Sequence, residues 1–463
     1  MSKPTSATQR HAPRPRRPGG DRATRQVAAA MAVHRAGRLD EAMAAYRAVL
    51  AAVPEHPDAL HLMGMLEAQR GRHAQAEALI TRAIAVRPRE PMFHNNLGNV
   101  CLECGRLEDA EAHFRAALAL DPDRPDALNN LAILLGRRGR LADAEQALTR
   151  VVHAAPQFAD AWQNLVTLLM RGGRLAEAVD ACRKGLAGTP RHVELRRLLA
   201  LSYARRGDSE HAIEVYEDWL HDDPTNVVAR HHLAALRGVD VPDRASDGYV
   251  QTLFDGFAGS FDANLASLDY RAPELVAAAA TRALDAPARS LAVVDAGCGT
   301  GLCGPLLAPH ARTLVGVDLS AGMLQRARLR GCYDELVQAE LVAFLRTRTG
   351  AFDLIVCADT LCYFGPLEAV CEAAARALRG PARFVFTVEA APEADGAPGH
   401  VLHAHGRYSH RRGAVEAALA RAGFAKPEVE SHVLRTEAKA PVHGWLVSAR
   451  LVGDLPPKKG DCG

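Results

Sequence analysis

Two hydrophobic rhythms divide the chain. Between residues 24 and 237, small and apolar positions return every 34 residues. Gly37, Gly71, Gly105, Gly139, Gly173 and Gly207 mark the period, and an alanine follows each by five positions (Ala42, Ala76, Ala110, Ala144, Ala178, Ala212). Pro54, Pro88, Pro122, Pro156, Pro190 and Pro224 keep the same spacing. A unit this short cannot cover its own apolar face, so the period predicts stacked helical hairpins sharing one continuous core. The glycine ends the first helix and permits a tight turn, and the proline stops the second. The alanine lets the two helices approach. Gly64, Gly98, Ala132 and Ala200 keep successive first helices thin, whereas Val166 in the fifth copy predicts a looser contact. Residues 225–237 predict a closing cap helix.

The rhythm breaks at 238–247, a stretch with Pro242 and several charges that reads as a joint between domains. Tyr249, Phe254, Phe257 and Phe261 then cluster on one helical face, as either a lid or a hydrophobic glue. Short apolar runs follow at 291–294, 313–317, 335–338, 352–357 and 383–388. They predict the buried strands of a parallel sheet, with an antiparallel strand at 446–452. Residues 302–310 predict the first turns of a helix.

Composition adds limits. Residues 1–23 are rich in Arg, Pro and Gly and predict a disordered basic tail, as do residues 454–463 at the other end. The formal net charge of +2 gives no field toward nucleic acid or membrane. No apolar run reaches the roughly 18 residues of a membrane span, and no secretory signal is expected. Ten cysteines lie scattered, mostly within apolar runs, which predicts buried thiols in a reducing cytoplasm. Cys101 and Cys104 form a lone C-x-x-C without a partner pair, and no cluster has metal-ligand spacing.

The chemistry concentrates where the first apolar run ends: Asp295-Ala296-Gly297-Cys298-Gly299-Thr300-Gly301. Strand, glycine turn and helix let backbone approach a nucleotide-like ligand closely. A side chain on Gly297 or Gly299 would occupy ligand space. The carboxylate of Asp295 suits a cationic or N–H-bearing ligand and would repel a pyrophosphate. Gly299 to Gly304 also spells the dinucleotide fingerprint, so an NAD-dependent oxidoreductase stays open as the weakest alternative. Asp318, 21 positions after Gly297, suits ribose hydroxyls in either case.

The Asp-x-Gly-x-Gly-x-Gly motif resembles that of class I S-adenosylmethionine-dependent methyltransferases, over residues 248–453. The resemblance implies a Rossmann-like α/β domain. It also implies cofactor contacts from Asp295, Gly297, Cys298, Gly299, Thr300, Gly301, Asp318, Leu319, Met323, Ala339 and Glu340. The adenine contact could fall on either side of the 339/340 pair. Residues 24–237 resemble tetratricopeptide superhelices, six repeats plus a cap, which generally take peptides or partner proteins. Asn96, Asn130 and Asn164 recur at one repeat position. They read either as a ladder for an extended peptide, like that of O-GlcNAc transferase repeats, or as links between neighbouring helices. The fused arrangement resembles a bacterial group of predicted methyltransferases with attached repeats.

Methyl transfer from a sulfonium needs alignment and water exclusion more than a base. Asp359, Tyr363 and His410, which reads as opening a helix, are candidate groups near the acceptor, with Glu389, His403 and His405 also in range. The fourth strand lacks the Asn/Asp-Pro-Pro-Tyr/Phe and Pro-Cys sequences of base methylases, which makes double-stranded nucleic acid an improbable acceptor. A small molecule or a protein fits. A binding scaffold with a vestigial cofactor fold is the alternative of another class.

Overall fold

The computed structural model describes residues 18–452 apart from 260, 267, 283–288, 394–395 and 438–439. The tail at 1–17, the segment beyond 452 and the side chain of Phe257 lie outside the described residues. Contacts divide the chain into two units, one of residues up to 170 with 180–195, the other of 171–179 with 196 onward.

The first unit is built of helical hairpins such as Pro57–Gln69 with His73–Val86 and Pro91–Glu103 with Leu107–Leu120. Each period glycine lies between paired helices in the left-handed region, from φ +73° at Gly71 to +82° at Gly207, where an L side chain is strained. The period alanines are buried in all six copies. A Cβ on Gly98 would stand 2.6 Å from the Phe114 ring, so glycine there permits the helix approach. Val166 is fully buried, and the fifth copy keeps a close approach through Gly185, whose added Cβ would meet Trp162 at 2.9 Å. The first helix runs Pro18–Arg35, so residues 18–23 belong to it rather than to the tail, and Ala23 is buried.

The sixth hairpin, Val193–Arg205 with Ser209–Asp222, and the helix Val227–Arg237 fall almost wholly in the second unit. That last helix is no free cap. His231 and His232 are both buried, and their rings donate to the carbonyls of Gly406 (2.9 Å) and Ala404 (3.0 Å). The 238–247 joint is docked too. The Ala245 amide donates to Tyr363 O at 2.8 Å, the Gly365 amide to Asp243 O at 2.8 Å, and the Tyr408 hydroxyl to Pro242 O at 2.5 Å. Backbone polar groups that leave water need such partners, so a segment that supplies them is fixed in place.

The sheet contains β1 (Leu291–Ala296), β2 (Ala311–Asp318), β3 (Glu335–Gln338), β4 (Phe352–Cys357), β5 (Leu378–Ala390), β6 (His400–Leu402), β7 (Tyr408–His410), β8 (Glu428–Glu437) and β9 (Ala440–Arg450). Its order is β3-β2-β1-β4-β5-β7-β6, with β9 antiparallel to β5 and β8 pairing β9. Strand order reverses beside β1, the switch point at which α/β sheets bind ligands. Val293 and Val294 point to opposite apolar layers, so both faces are covered. The helix expected over 302–310 is only Gly304–Leu307, because β2 already begins at Ala311. Among the described residues, no helix is long and apolar enough to cross a membrane.

Candidate active site

A cavity of about 210 Å³ lies at the carboxyl edge of the sheet. One end is made by consecutive residues. After β1 the chain turns through Gly297, Gly299 and Gly301 at φ +72°, +54° and +83°. The Gly297 and Cys298 amides donate to Val317 O at 2.8 and 2.9 Å, which ties the turn to β2. The glycines are bare for different reasons. A Cβ on Gly297 would meet Thr360 Oγ1 at 2.2 Å and one on Gly301 would meet Tyr333 at 2.8 Å, so protein rather than ligand fills those spaces. Gly299 faces the cavity, its nearest opposing atom being Phe261 at 4.0 Å.

Asp295 is 1% exposed and accepts from the Tyr333 hydroxyl at 2.6 Å. Burial pushes its carboxyl up to about 7, opposed by the Tyr333 bond and reinforced by Asp318. Asp318 holds the turn: its two oxygens accept the Gly299 and Ser320 amides, each at 2.9 Å. Burial raises this carboxyl as well, against those bonds. Leu319, Met323, Ala339 and Glu340 line the same end. Glu340 is also a helix cap, accepting the Val342 and Ala343 amides at 3.0 and 2.8 Å. The Cys298 thiol is buried and pushed well up, so it contributes surface rather than a thiolate.

The helices Asp247–Phe257 and Phe261–Ala266 cover this end. Phe254, Phe261 and Leu265 line the cavity. Polar latches hold the cover: Thr300 Oγ1 donates to Asp262 at 2.5 Å, Arg330 pairs with Asp262 at 2.6 Å, and Ser320 Oγ donates to Asp255 at 2.5 Å. Thr300 therefore reaches the lid with its hydroxyl.

The other end gathers residues far apart in sequence. Asp359 follows β4 at φ +54°, its amide donating to Thr387 Oγ1 at 2.9 Å. Arg435 donates to Asp359 Oδ2 at 2.8 Å, to Glu437 Oε1 at 2.6 Å and to Glu389. Arg407 donates to Glu389 Oε1 at 2.6 Å and Glu437 Oε1 at 2.7 Å. A register shift in β8 between Val433 and Arg435 turns that arginine inward, 3% exposed. Burial opposes the charges of Arg435, Arg407 and Glu437, but the pairings win: the arginines stay charged and Glu437 is held down at about 2. Asp359 Oδ1 is buried with no hydrogen-bond partner.

Tyr363 lines the cavity beside Asp359, its ring 5.5 Å from Phe254 and near-perpendicular to it. His410 is placed elsewhere. It ends β7 instead of opening a helix, is 1% exposed, and donates to the Phe364 and Gly365 carbonyls at 2.9 Å. Burial lowers it to about 4, so it is a neutral brace for the 364–365 loop. His403 bonds Ser409 Oγ at 2.7 Å, and His405 lies 3.9 Å from Glu389. Arg407, Arg435, Glu437, Tyr333 and Thr360 were not legible as site residues. Arg435 and Glu437 share β8, and the loop before β7 carries Arg407 to Glu437.

In the repeats, the Asn96 amide meets His61 Nε2 at 2.8 Å, Asn130 donates to Asn95 at 3.0 Å and Asn164 to Asn129 at 2.8 Å. Each asparagine thus links to the preceding repeat, the second of the two readings.

Family models agree with this geometry. The model described as Methyltransferase domain matches residues 293–380, and models described as Tetratricopeptide repeat match 61–125, 102–169 and 193–236. A human protein, methyltransferase-like protein 27, is 37% identical over 123 residues, 26% of this chain. The chain spans about half the length of that relative, 49%. Among solved structures, Pseudomonas aeruginosa pilF is similar at 16% identity with a TM-score of 0.41, over 47% of this chain and 99% of that one. PilW, a type IV pilus biogenesis factor, is similar at 22% identity with a TM-score of 0.40, over 44% and 94%.

Proposed function

Because the chain joins tetratricopeptide repeats to a methyltransferase domain, we propose that it transfers a methyl group from S-adenosylmethionine to a small-molecule or protein acceptor. The observation that carries this reading is the Gly299 cradle between two acids, the buried Asp295 and the half-buried Asp318. A cationic sulfonium nucleoside suits that pair, and the apolar cover of Phe254, Phe261 and Met323 suits its adenosine. When bound, the cofactor supplies an already activated methyl group. Asp318 would take the ribose hydroxyls while keeping the turn in place, and the Ala339–Glu340 corner would receive the adenine edge. The latched lid would exclude water. Asp359 and Tyr363 would stand on the acceptor side, with His410 acting only through the loop it braces.

The repeats would hold a protein or peptide partner. Asn96, Asn130 and Asn164 are partly exposed, although each spends an amide N–H within the array. A reducing cytoplasm suits the nine free thiols among the described residues.

Calorimetry on the full chain tests the reading. Micromolar or tighter binding of S-adenosylmethionine supports it, and no heat from any millimolar titration leaves a scaffold.

A further inference from the structure

Resting on the methyl-transfer reading, we propose that the acceptor is a cationic amine, which is methylated on nitrogen opposite Asp359. Three observations converge. The first is charge. Among the described residues, Asp359, Glu389 and Glu437 pair with only two guanidiniums, Arg407 and Arg435, so the described network keeps one negative charge in excess. His405, the nearest further base, is held neutral by burial at about 4. Buried charge without a partner is costly, and a positive ligand removes the cost. The second is direction. All three nitrogens of Arg435 are spent on carboxylates, and Arg407 spends two of its own. An anionic acceptor finds little left to grip. Asp359, by contrast, lines the cavity with part of its side chain exposed, and its carboxylate keeps one oxygen, Oδ1, without a hydrogen-bond partner. The third is the wall itself. Tyr270 and Tyr363 line the cavity near Asp359, and aromatic faces attract ammonium groups.

The step balances without a further reactant. Before the lid closes, the ammonium opposite Asp359 gives one proton to water; the nitrogen lone pair then forms the N–C bond, and the S–C electron pair stays on sulfur. The methylated product is again an ammonium and keeps its partner in Asp359. That carboxylate, tied to Arg435, serves as an anchor for the cation, and solvent takes the proton.

The test uses the full chain saturated with S-adenosylhomocysteine, titrated by calorimetry with two matched sets: phenethylamine, 2-phenylethanol and phenylacetate; butylamine, butanol and butyrate. The expected result is that at least one amine binds about tenfold or more tighter than its alcohol and its acid, the worth of one charged hydrogen bond. Asp359→Asn should erase the preference while S-adenosylhomocysteine affinity and the melting transition hold. An alcohol or acid that matches its amine overturns the proposal, as does a preference that survives in Asp359→Asn. Failure of both amines at millimolar concentration overturns it without recourse to any variant. A wild-type chain that does not retain S-adenosylhomocysteine strikes the parent reading instead, before any amine is added.

Discussion

The two ends of the cavity are built in opposite ways. The cofactor end is backbone: a turn of nearly consecutive residues, Asp295 to Gly301, closed by one acid on the next strand. The acceptor end is side chain: five charges drawn from positions 359, 389, 407, 435 and 437, held by one another. A backbone cradle has one geometry and suits one ligand. A side-chain network can be re-pointed residue by residue, so under the proposed reading it is where acceptor choice would belong.

That contrast can be broken at either end. Arg435→Met should have the largest effect, because it leaves the buried Glu389 and the half-buried Asp359 and Glu437 short of their shared cation. The expected loss is about 3–5 kcal/mol of stability, measured by denaturant unfolding. A loss below about 1 kcal/mol would mean the network is wet and the two ends are alike. Asp318→Ala comes next. It should weaken S-adenosylmethionine about a hundredfold by calorimetry, since it removes a ligand group and frees the Gly299 amide together. An unchanged affinity would detach the cofactor from this acid.

The pH dependence is smaller and sharpens the cofactor end. Asp295 is raised to about 7 in the folded chain, so the native state binds its proton more tightly than the unfolded chain does. This group's contribution to stability is full at acid pH, falls as pH rises from about 4, and is flat above about 7. A cationic ligand favours the ionised form. Affinity should therefore rise by up to about tenfold per pH unit below 7 and then level off, with proton release seen as a buffer-dependent heat. Affinity flat from pH 6 to 8 contradicts this. The smallest effect is expected from His231→Leu, about 1 kcal/mol of stability, because it leaves the Gly406 carbonyl unpaired. It should slow turnover through the Arg407 loop while cofactor affinity stays within about twofold, and an equal loss in both would refute the separation.

What could be read from the sequence follows the same division. Period, sheet and glycine turn are local signals, so 34-residue spacing and short apolar runs predicted hairpins and strands that are observed. Two readings failed where distant residues decide, and a third was incomplete. Gly297 read as ligand space, but Thr360, 63 positions on, occupies it. His410 read as a helix start, but strand pairing buries it. Residues 238–247 read as a joint between domains, and composition could not show that Tyr363, Gly365 and Tyr408 hydrogen-bond with them. Arg435 carries no local mark at all, since it sits in a charged strand segment and only the β8 irregularity turns it inward.

The grip of His231 and His232 on the 404–406 loop bears on how such chains could be re-engineered. Grafting a foreign repeat array at residue 238 would amputate two props of the sheet domain. A chimera joined ahead of the sixth hairpin would carry them across intact, so the workable splice point lies inside the repetitive region and not at its end.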